Sequence, residues 1–288
     1  MKFGLALGGG GARGAAHIGV LIELENMGLK PDFVTGTSIG GLVGALIADG
    51  LDSTQIIQVF RRMRFGKLYS PPWLKPAFMN NDKLQKLLEK SLGRPTFADL
   101  KIPLAVVTTN LVTRREVILK EGDVVQAVLA TTAFPVVLPH VDWHGQILID
   151  GGVLNNTPFN IAQEWGADFV LAVDLANSAP FGTELPYPTP NNFLTRLLTR
   201  AQRDPIYQAV STLADILTSQ NVNDHLEESK PDIMLRPNMA TIGLFDFHRL
   251  DEGIAAGREA AQAVEPQLSE LAARMNAPEE YSEENRSK

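Results

Sequence analysis

The stretch TGTSIGGLVGA, running from Thr35 to Ala45, decides how the rest of the chain reads. Phe33, Val34 and Thr35 are short and rich in β-branched or aromatic side chains, the signature of a strand. From Gly40 to Asp49, the residues Leu42, Val43, Leu46 and Ile47 recur at helical spacing. Ser38 therefore falls on a strand-to-helix turn. Such a turn forces its central residue into a strained backbone conformation, and side chains in place of Gly36 and Gly40 would strike the adjoining strand and helix. The hydroxyl is then held at a helix N-terminus, where free N–H groups and the helix dipole favour developing negative charge. Those are the needs of a nucleophile. An ordinary N-capping serine in a Gly-rich turn fits the same Gly36–Gly40 pattern.

Outward from this turn, composition sets bounds. The chain has 288 residues, 44% hydrophobic and 20% charged, which describes a globular α/β protein. The 26 basic and 33 acidic residues give a net charge of -7, which argues against a nucleic-acid partner and leaves any membrane contact to a local patch. With no cysteine, thiolate nucleophiles, thiolate zinc sites and disulfides are excluded. Met1 to Leu7 is too short for a signal h-region before the glycines begin, and no apolar stretch reaches the length of a membrane span, so a cytoplasmic protein is expected.

Phe3 to Leu7 reads as a buried strand and Gly8 to Gly14 as a loop opening a helix from Ala15 to Met27. Two readings of this loop stand side by side. Gly9, Gly11 and Gly14 satisfy G-x-G-x-x-G between a strand and a helix, and Asp32 follows at about the distance of a ribose-binding acid, which is the pattern of a dinucleotide-binding oxidoreductase. Asp32, however, precedes its strand, at the wrong end of the sheet for that task. Alternatively, the Gly10 and Gly11 N–H groups form an oxyanion hole beside Ser38, with Arg13 fixing the loop or adding positive potential. Both motifs then lie at the C-terminal ends of neighbouring strands, where open α/β sheets place their sites.

Further helices are expected over Asp52–Met63, Asp82–Leu92, Asp123–Thr131, Phe193–Gln202, Ile206–Thr218 and Gly253–Leu271. Strands are expected over Ile102–Asn110, Arg115–Leu119, Ile147–Ile149, Phe169–Asp174 and Asp232–Arg236. Residues 64–80 carry three prolines with Phe65, Leu68, Tyr69, Trp73 and Phe78, and read either as an anchored surface loop or as a lipid-facing cap with peripheral membrane contact. Arg196, Arg200 and Arg203 read as a solvated basic face or a phospholipid headgroup site. The strand Ile147–Ile149 ends in Asp150-Gly151-Gly152. Such a sequence is ordinarily a turn, but if it ends near Ser38 its glycines let the carboxylate approach the hydroxyl, and Asp150 becomes the general base. His17, His140, His144, His225 and His248 are the alternatives for a conventional triad, none with a motif behind it. No His/Asp/Glu cluster has metal-ligand spacing, so neither metal nor cofactor is expected.

GGGARG at Gly9–Gly14, GTSIG at Gly36–Gly40 and DGG at Asp150–Gly152, in this order, resemble the patatin-like phospholipase family, nearest to its bacterial single-domain branch over about residues 3–265. The similarity continues through ATTAFPVVLPHV at Ala130–Val141 and NNTPF at Asn155–Phe159. DGG stands where the family often has DGA. The resemblance implies a doubly wound, mostly parallel sheet sandwiched by helices. It places a catalytic core over 3–163 and the remainder of the same domain over 164–265, while composition marks a Pro-rich insertion at 178–192 and an acidic tail at 277–288 that is expected to be disordered. The resemblance further implies a lipid acyl-ester hydrolase of the phospholipase A or lysophospholipase type. In that reading Ser38 is the nucleophile and Asp150 its base. Gly9, Gly10, Gly11, Ala12, Arg13 and Gly14 form the oxyanion loop, Gly36, Thr37, Ile39 and Gly40 the elbow, and Gly151 and Gly152 the aspartate's turn. A regulatory or scaffolding protein on a hydrolase fold is the competing expectation.

Overall fold

The computed structural model describes residues 1–65, 81–135, 137–176, 205–239 and 242–276. Its order begins β1 (Phe3–Leu7), α1 (Ala15–Asn26), β2 (Phe33–Thr37), α2 (Ile39–Ala48), α3 (Ser53–Phe65), α4 (Asn81–Leu92), β3 (Leu104–Asn110) and β4 (Arg115–Leu119). It continues with α5 (Val124–Thr131), β5 (Val141–Trp143), β6 (Gln146–Asp150), α6 (Phe159–Glu164), β7 (Phe169–Val173), α7 (Pro205–Glu228), β8 (Ile233–Leu235), α8 (Leu250–Gln262) and α9 (Glu265–Asn276).

Among the described residues the eight strands form one sheet in the order β5-β6-β3-β2-β1-β7-β8, with β4 also paired to β3. The run β3-β2-β1-β7-β8 is parallel throughout, while β4, β5 and β6 pair antiparallel. The sheet is thus mixed, an α/β arrangement with an antiparallel flank, and β7 pairs directly with β1 across the 163/164 position.

The two faces of the sheet are unequal, and the period-2 alternation of the strands shows why. Phe3, Leu5 and Leu7 of β1 and Leu171 and Val173 of β7 pack into the large core with α1, α2 and α5. Ala6, Val170 and Ala172, pointing the other way, pack under the short helix α6 through Phe159 and Ala162. Small side chains on that face let a six-residue helix lie close against β1, β2 and β7.

Several expectations need correction. Gly253–Leu271 is two helices, because Pro266 has no N–H for the carbonyl four residues back and its ring would clash there. The helix expected over Ile206–Thr218 runs on to Glu228, with no Gly or Pro to stop it before Pro231. The strand Val141–Trp143 and helix Phe159–Glu164 were not anticipated, since both are too short to show a period. Asp123 caps α5 rather than belonging to it, accepting the Gln126 N–H at 2.9 Å. The expected helix Phe193–Gln202 with its arginines, the Pro-rich insertion, the 277–288 tail and nearly all of the 64–80 segment lie outside the described residues. No helix among the described residues is long and apolar enough to cross a membrane.

Candidate active site

The register of β3 brings Ser38 and Asp150 together. Strand β4 pairs with β3 along Val106–Asn110 and so occupies one whole edge there. The other edge is shared: β2 runs beside β3 as far as Thr37 opposite Val107, and β6 arrives from the opposite direction as far as Asp150 opposite Thr108. Two strands therefore meet head-on at consecutive positions of β3, and Ser38 and Asp150 are the residues at the meeting point. A Cβ on Gly151 would lie 2.3 Å from the Val107 carbonyl oxygen, so only glycine lets the chain turn away after Asp150.

Ser38 has φ 55° and ψ -124°, a left-handed conformation that costs a non-glycine residue. Its surroundings hold it there. Its N–H donates to Thr131 Oγ1 at 2.8 Å, and the Thr131 hydroxyl donates in turn to the Val107 carbonyl. A Cβ on Gly40 would stand 2.0 Å from the Leu7 carbonyl oxygen, and one on Gly36 2.5 Å from the Gly40 carbonyl oxygen. Thr37 Oγ1 donates to the Asn155 carbonyl at 2.8 Å, and Ile39 packs on Gly14 with no room for a side chain there. Although Ser38 stands at the N-cap position of α2, its hydroxyl makes no capping bond, which removes the simple N-cap reading.

Asp150 is 1% exposed. Its Oδ1 accepts the Gly152 N–H at 2.8 Å, while Oδ2 has no hydrogen-bond partner. Burial pushes the carboxyl up to about 7, against the opposing pull of the Ser38 hydroxyl and the Gly152 amide. The hydroxyl is thus near enough to act on the acid without closing a hydrogen bond to Oδ2.

The glycine loop forms the third side. Gly8 N–H donates to the Val173 carbonyl, Gly9 N–H to the Asn156 carbonyl, Ala12 N–H to the Leu244 carbonyl and Arg13 N–H to the Gly10 carbonyl, at 2.7–3.1 Å. The Gly10 and Gly11 N–H groups, between these anchors, donate to no described acceptor. Gly11 has φ 56°, and a Cβ there would meet the Leu244 carbonyl oxygen at 2.2 Å. Arg13 is 2% exposed and bonded bidentately to Asp215, at 2.6 and 3.1 Å, with its Nε donating to the Ile242 carbonyl at 2.7 Å. Of the two roles open to it in sequence, fixing the loop is the one these contacts serve; its charge is met by a carboxylate.

Gly9–Gly11, Arg13, Ser38, Asp150, Gly152 and Asn156 line one cleft of about 860 Å³, its open mouth included. The rest of the lining is mostly apolar and includes Leu42, Met63, Leu84, Phe134, Val137 and Leu138. No histidine is among its described lining residues. His17 is buried, donates from Nε2 to the Gly8 carbonyl at 2.7 Å and stays neutral, since burial lowers its pKa to about 4. His140, His144 and His248 are exposed, and His225 lies 3.4 Å from the Leu154 carbonyl. The Asp32 carboxylate accepts the Phe3 N–H at 2.6 Å, at the start of β1 and the far end from the glycine loop, so the ribose-binding role has no support. Among the described residues no group of three or more acidic or histidine side chains could hold a metal ion.

Sequence reasoning missed the roles of Thr131, Asn156 and Asp215. The first two lie in the stretches ATTAFP and NNTPF, whose similarity carried no assigned function. Asn156 ties two loops together, since its carbonyl accepts from Gly9 and its Nδ2 donates to the Gly9 carbonyl at 3.3 Å. Asp215 has no local signal at all, being one acid on a helix 202 residues from Arg13.

Known proteins resemble the chain in the same terms. An uncharacterized NTE family protein of Mycobacterium tuberculosis is 31% identical over 270 residues, 91% of this chain and 46% of that protein. Lysophospholipase NTE1 of Meyerozyma guilliermondii is 29% identical over 264 residues, 86% of this chain and 18% of that protein. The chain therefore spans less than half the length of these curated relatives. The fold is similar to the crystal structure of VipD from Legionella pneumophila, with TM-score 0.60 at 15% identity, covering 94% of this chain and 67% of that one. The family model for patatin-like phospholipase matches residues 5–162, more than half of the sequence and the span that carries all three motifs, and the chain belongs to that family.

Proposed function

We propose that the protein is a lipid acyl-ester hydrolase of the phospholipase A or lysophospholipase type, working through Ser38 and Asp150. One observation carries the reading: a serine held at positive φ on a helix N-terminus beside a buried carboxylate with one free oxygen and a pKa near 7. A solvated aspartate is too weak a base for a hydroxyl; one raised to about neutrality is matched to the task.

The proposed cycle begins as a substrate ester seats its carbonyl over Ser38 and the Ser38–Asp150 contact tightens. Asp150 takes the hydroxyl proton through its free oxygen while Ser38 Oγ bonds to the carbonyl carbon. The carbonyl oxygen becomes the oxyanion and is met by the Gly10 and Gly11 N–H groups, preorganised because their neighbours anchor the loop. The tetrahedral intermediate expels the alcohol, which leaves with the proton from Asp150. Water then attacks the acyl-serine, giving its proton to Asp150, and breakdown of the second intermediate returns that proton to Ser38 and frees the carboxylic acid. The apolar side chains lining the cleft suit an acyl chain, and the lysophospholipase name of the yeast relative supports a phospholipid-derived substrate.

Fluorophosphonate labelling and hydrolysis of a panel of phospholipids and lysophospholipids test this directly. Labelling and turnover are expected in the wild type and absent in Ser38→Ala. A wild type that neither labels nor hydrolyses any acyl ester would leave the regulatory or scaffolding reading in its place.

A further inference from the structure

The structure assigns Asp215 as a positioning residue for the oxyanion loop, acting through Arg13 and lying outside the segment that matches the family model. The inference rests on the proposed reading for its catalytic consequence, but the contact itself does not.

A loop that keeps two amides free for a substrate oxygen must be held by everything except those amides. Four backbone bonds do part of this, at Gly8, Gly9, Ala12 and Arg13. His17 and Asn156 hold the start of the loop through the Gly8 and Gly9 carbonyls. The Arg13 side chain holds its far end, and its partners all come from the far part of the chain: the Asp215 carboxylate on α7 and the Ile242 carbonyl. The Leu244 carbonyl, which takes the Ala12 N–H, belongs to the same stretch as Ile242. Arg13 and Asp215 have side chains 3% and 7% exposed, so neither can exchange its partner for water. A planar guanidinium meeting a carboxylate through two parallel bonds fixes angle as well as distance, which a lysine in its place would not. Loss of the carboxylate leaves a buried cation in search of compensation, and that cation is three residues from Gly10. The predicted result is a loop whose amides are displaced from where the oxyanion forms, with the cleft otherwise intact. Misplacement on that scale lowers turnover by roughly 10- to 100-fold.

The test compares Asp215→Asn, Asp215→Glu and Arg13→Lys with the wild type and with Leu213→Ala, an exposed neighbour on the same helix. Steady-state hydrolysis of a soluble short-chain ester should show Asp215→Asn lowered ~10- to 100-fold in kcat with KM within about threefold. Asp215→Glu, which restores the charge, should regain part of the loss, and Arg13→Lys should resemble Asp215→Asn. Leu213→Ala should match the wild type. Hydrogen exchange of peptides covering residues 8–14 supplies a readout that needs no activity: exchange there should quicken in Asp215→Asn while peptides from β1 and β2 stay unchanged. A folded Asp215→Asn protein with wild-type kcat and wild-type exchange over residues 8–14 overturns the assignment. So does a loss of activity that only tracks the loss of folded protein. If the wild type proves inactive, the hydrolase reading fails by itself and the exchange result alone decides the role of Asp215.

Discussion

The cleft holds two buried aspartates, and they have been treated oppositely. Asp215 has both oxygens taken by a guanidinium, so its charge is compensated and its geometry locked. Asp150, buried still more deeply, is given one backbone amide and a nearby hydroxyl and, among the described residues, no cation. Burial alone raises a carboxyl pKa, whereas an arginine partner favours the charged form. The same side chain, buried in both places, is a fixed strut in one and, in the proposed cycle, the proton acceptor in the other. What separates them is the number of oxygens left free.

The largest expected effect breaks this comparison at the reactive end. Ser38→Ala and Asp150→Asn should each lower kcat by at least ~10²- to 10⁴-fold, and the double mutant should be little worse than either, because groups acting as a unit are non-additive. Additive losses would mean that the two act separately.

A second effect follows from the cost of burying Asp150 with no cation beside it among the described residues. Its folded pKa of about 7 lies above the ordinary 3.8, so its contribution to stability is fully present below about pH 4 and is lost as the pH rises to about 7. Asp150→Asn removes that loss. Thermal or urea unfolding should show it more stable than wild type at pH 8, by up to about 4 kcal/mol, with the difference shrinking toward pH 4. A variant less stable than wild type at pH 8 would mean that the carboxylate is better compensated than its contacts indicate.

The pH profile sharpens the same point. Turnover of a soluble ester should rise with an apparent pKa near 7, losing about tenfold per pH unit below it, since only the ionised acid can take the serine proton. A flat profile down to pH 5 would remove Asp150 from the role of base. The smallest effect is reserved for the histidines: His140→Ala and His144→Ala, both exposed, should lose less than about tenfold, or ~1.4 kcal/mol. A folded histidine mutant as impaired as Ser38→Ala would make the site a triad.

Much of this was legible in the sequence because it is local. A short apolar run before each glycine turn marks β1, β2 and β6, and the clashes that a side chain at Gly36 or Gly40 would cause are a matter of adjacent backbone. Elements too short for a period, such as β5 and α6, left no trace, and the break before Pro266 was hidden by helical spacing on both sides.

The sequence by itself determined the turn chemistry: a serine between a strand and a helix, a glycine loop between another strand and helix, and an aspartate followed by residues without side chains. Only the tertiary structure decided that β6 runs antiparallel and meets β2 end to end on β3, because strand direction and register are set by long-range pairing that no local pattern encodes. It likewise decided that Arg13 finds Asp215 and that Asp150 finds no cation at all among the described residues. Charge compensation in a buried cleft depends on which distant helix closes over it, and that is a property of the folded chain.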